Sequence, residues 1–263
     1  MDIAKPVKRN VLLNPGPATT SDAVKYAQVV PDICPREQEF VDIMTQVRKD
    51  LVKVVHGDPE KYCAVIFTGS GTIIQDVLVN SLVPDGKKIC VVNNGAYSAR
   101  MVEIAEYYHI PCVDLKFPST GLPDLAVVKE TLEKDKDIAV VATVHHETGT
   151  GVLNPIKEIG QIAHDNDAIF VVDTISTYGL LPIDIAEQNI DFLMSSAQKG
   201  LAGMTGASWT VGKIEEIEKT KDYPTRSYYC NLFMQYDFFD RVGEMHFTPP
   251  VQTMYALQQA VKE

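Results

Sequence analysis

Lys199 lies in "SSAQKGLAGMTG" (195–206), directly after an apolar, strand-like run, with Gly200, Gly203 and Gly206 close by. Lysines usually cover solvated faces with their stems and keep their charge in water. At a strand exit, a half-buried lysine is either one member of a structural ion pair or an amine with an altered pKa, the usual source of a Schiff base. Glycines beside it would let a flat ligand approach the backbone. Asp173 ends an earlier apolar run in "VVDTIST" (171–177). A carboxylate there is costly unless it is paired. It reads either as the N-cap of the next helix or as the partner of a buried cation.

Three more loops carry chemistry-bearing residues. "TGSGT" (68–72) offers the hydroxyls of Ser70 and Thr72 around Gly71, ahead of a helix with free N–H groups. That combination suits a phosphate, and it equally suits a tight, capped turn. No G-K-[ST] follows, so it is not a Walker motif. "NNGAYSARM" (93–101) places Tyr97 at a helix start, where it either stacks on a flat ligand or joins the core. In "HHETGTG" (145–151), His145, His146 and Glu147 are consecutive. Adjacent side chains point different ways, which argues against a metal site. Donors to a ligand and a satisfied polar turn are the two readings. Taken together, an N–H cup, an aromatic face, an aspartate and a lysine match the needs of pyridoxal 5′-phosphate (PLP). Its phosphate needs the cup, its ring the face, its pyridine nitrogen the anion and its aldehyde the amine.

These loops need a frame that brings them to one edge. Continuous apolar runs at 63–67, 88–92, 138–144, 168–173 and 191–196 read as strands buried on both faces, with 206–211 as a weaker sixth. Helical periodicity occupies about 36–55, 71–82, 97–107, 124–134 and 155–166, and a further helix starts near Pro249 and Pro250. Strands separated by helices predict an α/β fold, a mostly parallel central sheet flanked by helices. Ligands of such sheets sit beyond the carboxyl ends of the strands, where all five loops fall.

Composition narrows the function class. The 263 residues are 45% hydrophobic and 22% charged, ordinary for a globular protein, with a formal net charge of −11. That balance lacks the basic field of a nucleic-acid binder. Five cysteines without a C-x-x-C pair point to free thiols in a reducing compartment rather than a zinc or disulfide framework. No signal-like or membrane-length apolar run is present, so a cytoplasmic location is expected.

The stretches "LLNPGPATTS", "DICPRE", "TGSGT", "NNGAYSARM", "HHETGTGVLNP", "VVDTIST", "SSAQKGLAG" and "HFTPP" together resemble the class V, fold-type I PLP-dependent aminotransferases, from residue 12 to about 250. "CPRE" (34–37) and "ETGTGVLNP" (147–155) favour the phosphonate branch of that family. The resemblance implies transamination of 2-aminoethylphosphonate with pyruvate in a homodimer. It implies Lys199 as the Schiff-base lysine and Asp173 as the partner of the pyridine nitrogen. Tyr97 would stack on the ring and Thr148 would lie near the ring oxygen. Ser70, Gly71, Thr72 and Gln198 would hold the phosphate, and Thr248 would reach the phosphate of the neighbouring subunit's cofactor. The phosphonate itself needs cationic or N–H donors. Arg36 and the loop around Gly16 are candidates, with Arg226 a second arginine; a surface role is the alternative for both arginines.

Two departures stand out. The family usually reads "D-x-x-S-S-F-G" where this chain reads "DTISTYG" (173–179). Family members also continue into a small domain, and Glu263 ends the chain before it. The expected organisation is therefore an N-terminal segment at 1–20 and a PLP-binding large domain at 21–263. Three rival readings remain: another class V enzyme (an alanine:glyoxylate aminotransferase or an aminophosphonate lyase), a PLP-binding protein with little activity, and an α/β binding module in which Lys199 pairs with Asp173.

Overall fold

The apolar runs become strands with both faces covered. The computed structural model describes residues 10–263; the first nine residues of the N-terminal segment lie outside the described residues. The strands are β1 (Tyr62–Gly69), β2 (Lys88–Asn93), β3 (Cys112–Lys116), β4 (Ile138–Val144), β5 (His146–Glu147), β6 (Val152–Leu153), β7 (Ile169–Asp173), β8 (Phe192–Ser196) and β9 (Gly206–Lys213). The helices are α1 (Asp22–Tyr26), α2 (Gln38–Val54), α3 (Gly71–Leu82), α4 (Ala96–Tyr107), α5 (Leu125–Lys134), α6 (Ile156–His164), α7 (Ile214–Lys219), α8 (Leu232–Val242) and α9 (Val251–Lys262). Seven strands form one sheet in the order β1-β9-β8-β7-β4-β2-β3, and β5 and β6 form a small separate hairpin. Within the large sheet β9 runs antiparallel to both its neighbours, and the other pairings are parallel. No helix among the described residues is long and apolar enough to cross a membrane.

The six strands expected from apolar runs all form, within two residues at either end. β3 is absent from that reading because its residues are only half-buried. It is an edge strand, where charge on the chain is expected. The short helices α1 and α7, the hairpin and α8 were likewise not expected.

The core is a continuous apolar layer on both sides of the sheet. Trp209 and Tyr178 are fully buried in an edge-to-face contact at 5.3 Å. The Tyr178 hydroxyl donates to the Leu51 carbonyl at 2.5 Å, tying α2 to the segment after β7. At the amino edge of the sheet, Asp191 staples three elements. Its carboxylate accepts from Phe170 N at 2.6 Å, from His164 Nε2 at 2.8 Å and from Lys213 Nζ at 2.6 Å. Burial alone would raise its pKa, but the bonds from His164, Lys213 and Phe170 outweigh burial and hold it below the ordinary value of 3.8. That stabilisation is present above the unfolded value and is lost as pH falls below it. Asp191→Ala, which strands Lys213 and the Phe170 N–H, is expected to lower unfolding free energy by roughly 2–4 kcal/mol at neutral pH. The deficit should shrink below about pH 4 in urea melts.

Candidate active site

Register brings the chemistry to one place. Asp173 pairs with Val144 on one side and Met194 on the other, so the carboxyl ends of β4, β7 and β8 are level. β2 lies next to β4 and delivers the start of α4. The turn from β8 to β9 carries Gln198 and Lys199. Gly203 N donates to Ala197 O at 2.8 Å and Ala202 N to Lys199 O at 2.9 Å, which folds the turn back on itself. Lys199, Asp173, Tyr97 and Thr148 line one narrow cleft with Val144, His146, Ile175 and Ser176.

The glycines near Lys199 have a different cause from the expected one. A Cβ on Gly200 would lie 2.1 Å from the Tyr178 carbonyl oxygen, so Gly200 is required by backbone packing. The glycine that meets the lysine is Gly16. A Cβ there would lie 2.4 Å from Lys199 Cδ and 2.7 Å from Nζ. Ala18 N donates to Gln198 O at 2.8 Å and fixes this N-terminal loop across the lysine. Among the described residues, Lys199 Nζ has no hydrogen-bond or ion-pair partner. The Lys199–Asp173 ion pair of the binding-module reading is therefore not formed.

Asp173 is 3% exposed. Its Oδ1 accepts from Ile175 N at 2.9 Å and its Oδ2 from Gln75 Nε2 at 2.7 Å. Burial pushes its pKa up to about 6 against the pull of these two bonds; Glu147 adds to the rise and Arg100 opposes it. Both bonds come from neutral donors, so the carboxylate keeps an unmatched negative charge.

Glu147 explains much of "HHETGTG". Its buried carboxylate accepts from Ser98 N at 2.8 Å, Ser98 Oγ at 2.7 Å and Tyr97 N at 3.3 Å. It closes the N-terminus of α4, where negative charge is favoured, and sets the backbone of Tyr97. His145 Nδ1 lies 3.0 Å from Thr177 Oγ1, and burial lowers its pKa to about 4, so it is neutral. α3 differs at its start. Ser70 is its N-cap yet makes no side-chain cap bond, and the Ser196 hydroxyl, within 3.2 Å of where a Gly71 Cβ would be, has no partner. The Gln198 Oε1 atom, also buried, lacks one too. Arg100 Nη1 lies 3.4 Å from Thr72 Oγ1, with its guanidinium 5.0 Å from the Tyr97 ring centroid.

Other expected residues stand elsewhere. The Arg36 guanidinium is engaged by Glu244 Oε2 at 2.7 Å, Met245 O at 2.5 Å and His246 O at 3.2 Å. Within one chain it braces the loop leading to Thr248 and does not line the cleft. Thr248 is exposed and is not in the lining of its own chain's cleft. Arg226 donates to Asn80 O at 2.7 Å, at the far end of α3.

A model of the class-V aminotransferases matches residues 22–262. The chain belongs to the class-V aminotransferase family. It is 35% identical over 254 residues to a bifunctional phosphonoacetaldehyde hydrolase/aminoethylphosphonate transaminase of Clostridioides difficile, covering 96% of this chain and 40% of that one. It is 36% identical over 255 residues to a 2-aminoethylphosphonate–pyruvate transaminase of Klebsiella pneumoniae, covering 96% of this chain and 69% of the other. The chain thus spans well under half of the first relative and about two thirds of the second. Its fold superposes on an alanine–glyoxylate aminotransferase of Nostoc with a TM-score of 0.89 and 25% identity, covering 98% of this chain and 68% of that one.

Class-V aminotransferases are PLP-dependent, and the residues present fit that cofactor. The cleft joins an aromatic face, aliphatic walls from Val144 and Ile175, and a buried carboxylate and an amine that have no ion-pair partner among the described residues. Beside it, α3 has an open N-terminus and the orphaned Ser196 hydroxyl. Sequence reasoning missed Val144, Ile175, Arg100 and Gln75. Arg100 had a usable signal, since it follows Tyr97 by three residues on one helix and so shares its face. Ile175 and Val144 carry none beyond apolarity.

Asp173 makes the protein pH-sensitive. Raised from 3.8 to about 6, it contributes about 3 kcal/mol of stability present below the unfolded value and lost as pH rises through the folded one. Asp173→Asn is expected to stabilise the PLP-free protein at about pH 7.5 by up to about 3 kcal/mol, the gain vanishing near pH 4. Paired urea melts at the two pH values check this. A less stable variant at neutral pH would show that the Gln75 and Ile175 bonds outweigh burial.

Proposed function

We propose that this chain serves the transamination of 2-aminoethylphosphonate with pyruvate, giving phosphonoacetaldehyde and alanine, in the cytoplasm. The observation that carries the reading is that one cleft holds both Lys199, which has no partner among the described residues, and a buried Asp173 with no ion-pair partner among them. The choice of substrate rests on relatives named for it at 35–36% identity.

When bound, PLP supplies an electron sink that makes a C–H bond beside the amino nitrogen acidic. The protein does the rest. Lys199 Nζ would be the amine for the cofactor's aldehyde and, when free, the base that takes and returns the proton. Asp173 would hold positive charge at the pyridine nitrogen. Tyr97 supplies the stacking face, Thr148 a hydroxyl at the rim, and Ser70, Gly71, Thr72 and Gln198 the donors for the phosphate. The Gly16 loop, seated on Lys199, presents backbone groups to the substrate. Arg36 acts through the loop that carries Thr248, which reaches a second subunit's site in a homodimer. The exposure of Thr248 supports that placement. A second reading, an alanine–glyoxylate aminotransferase, draws on the Nostoc superposition.

The deciding experiment is a visible spectrum of the protein with PLP, before and after 2-aminoethylphosphonate, for wild type and Lys199→Ala. A band that depends on Lys199 and bleaches with the aminophosphonate is expected, with recovery on adding pyruvate. Bleaching by alanine and recovery with glyoxylate alone would favour the second reading, and product release without a keto acid would indicate a lyase. A band that ignores every donor would mean a site without turnover, and absence of a Lys199-dependent band would overturn the assignment.

A further inference from the structure

Gln75 sits in α3 beside Ile74, Val77 and Leu78, all buried, and is itself 0% exposed. Burying an amide is costly unless its groups are bonded. Its Nε2 donates to Asp173 Oδ2 at 2.7 Å and to Tyr97 O at 3.2 Å. Its Oε1 has no partner. The orientation follows from the neighbours. Both are acceptors, so the flipped amide would set its oxygen against a carboxylate and a carbonyl. A methionine would occupy similar space and leave no orphan, so packing does not account for an amide here.

We propose that Gln75 is a positioning residue of the cofactor site, holding the Asp173 carboxylate ionised and aimed into the cleft and tying it to the Tyr97 backbone. The anion and the ring face are then set by one amide. This rests on the PLP reading above. Ile175 N occupies Oδ1 and Gln75 occupies Oδ2, which leaves the remaining lone pairs of the carboxylate for the cleft that Asp173 lines. Burial is the largest influence on this group and favours its neutral form; these two donors are what oppose it most. The charged and titratable groups around it are Glu147 and His146 from β5, Arg100 from α4, His145 after β4 and Lys199 after β8. From α3, Asp76 turns away, accepting from Tyr108 Oη at 2.9 Å. No cation faces Asp173 closely enough to form an ion pair among the described residues, so the neutral amide carries the task.

The test uses Gln75→Met and Gln75→Leu in the 263-residue chain. PLP dissociation constants are measured at about pH 6.5 and pH 8.5. The Asp173 carboxyl is titrated by 13C NMR in PLP-free protein, assigned with Asp173→Asn, and melting temperatures are recorded. Loss of a charge-assisted bond should raise the Asp173 midpoint by about 1 pH unit or more. Affinity for PLP should fall about fivefold at the lower pH, with the gap narrowing at the higher one. Melting temperatures should stay level or rise, because the orphaned oxygen is gone. An unchanged midpoint and wild-type affinity at both pH values would overturn the proposal, as would failure of both variants to fold. If wild-type protein binds no PLP, the functional reading falls, and the titration in PLP-free protein still decides whether Gln75 sets the ionisation of Asp173.

Discussion

A carboxylate buried at the end of a central strand is the constraint around which this site is built. Asp173 cannot retreat to water, because β4 and β8 flank it in register and α3 lies over it. It must be protonated, paired or supported by dipoles. The protein chooses dipoles, one from Ile175 N–H and one from Gln75. These compensate in part, and the carboxyl stays well above the ordinary range. A site in this condition favours a ligand that brings its own positive charge. A protonated pyridine ring is such a ligand, and Lys199 at the next strand end, without a partner among the described residues, is the group that would distinguish a cofactor site from a cation sink.

The two neighbouring helix starts show the same logic with opposite sign. Each presents unsatisfied N–H groups to the carboxyl edge of the sheet. At α4 the protein closes them with its own carboxylate, Glu147, which fixes Tyr97 in the process. At α3 it leaves them without a side-chain cap. One helix end is closed by the chain's own carboxylate; the other has no side-chain cap, which is where the proposed phosphate would bind. The cost is a second buried carboxylate near Asp173, and its repulsion contributes to the raised pKa there.

What could be read from sequence follows from what burial does to composition. Strands covered on both faces must be continuously apolar, so β1, β2, β4, β7 and β8 stood out, and their exits located Lys199, Asp173, Tyr97 and the "TGSGT" loop. β3 at the edge has no such requirement and passed unnoticed. Residue types were a poorer guide to partners. Gly200 looked like room for a ligand and proved to be room for the Tyr178 carbonyl. Arg36 looked like an anion receptor and proved to be fastened to Glu244 and two carbonyls. Pairings between residues far apart in the chain, such as Gln75 with Asp173, leave no local pattern to find.

The polar interior bears on why the chain tolerates this arrangement at all. Asp191 and Asp173 are both buried aspartates at strand ends, on opposite edges of the same sheet. Asp191 receives Lys213, His164 and a backbone N–H, and its pKa falls. Asp173 receives neutral donors alone, and its pKa rises. The amino edge therefore adds stability at neutral pH while the carboxyl edge subtracts it, as expected where a site is held ready for charge it does not itself contain. Pairing Asp173 with Lys199 would remove that deficit, but it would also occupy both groups that the proposed chemistry would use. Keeping them apart is what the proposed transamination would require of this site.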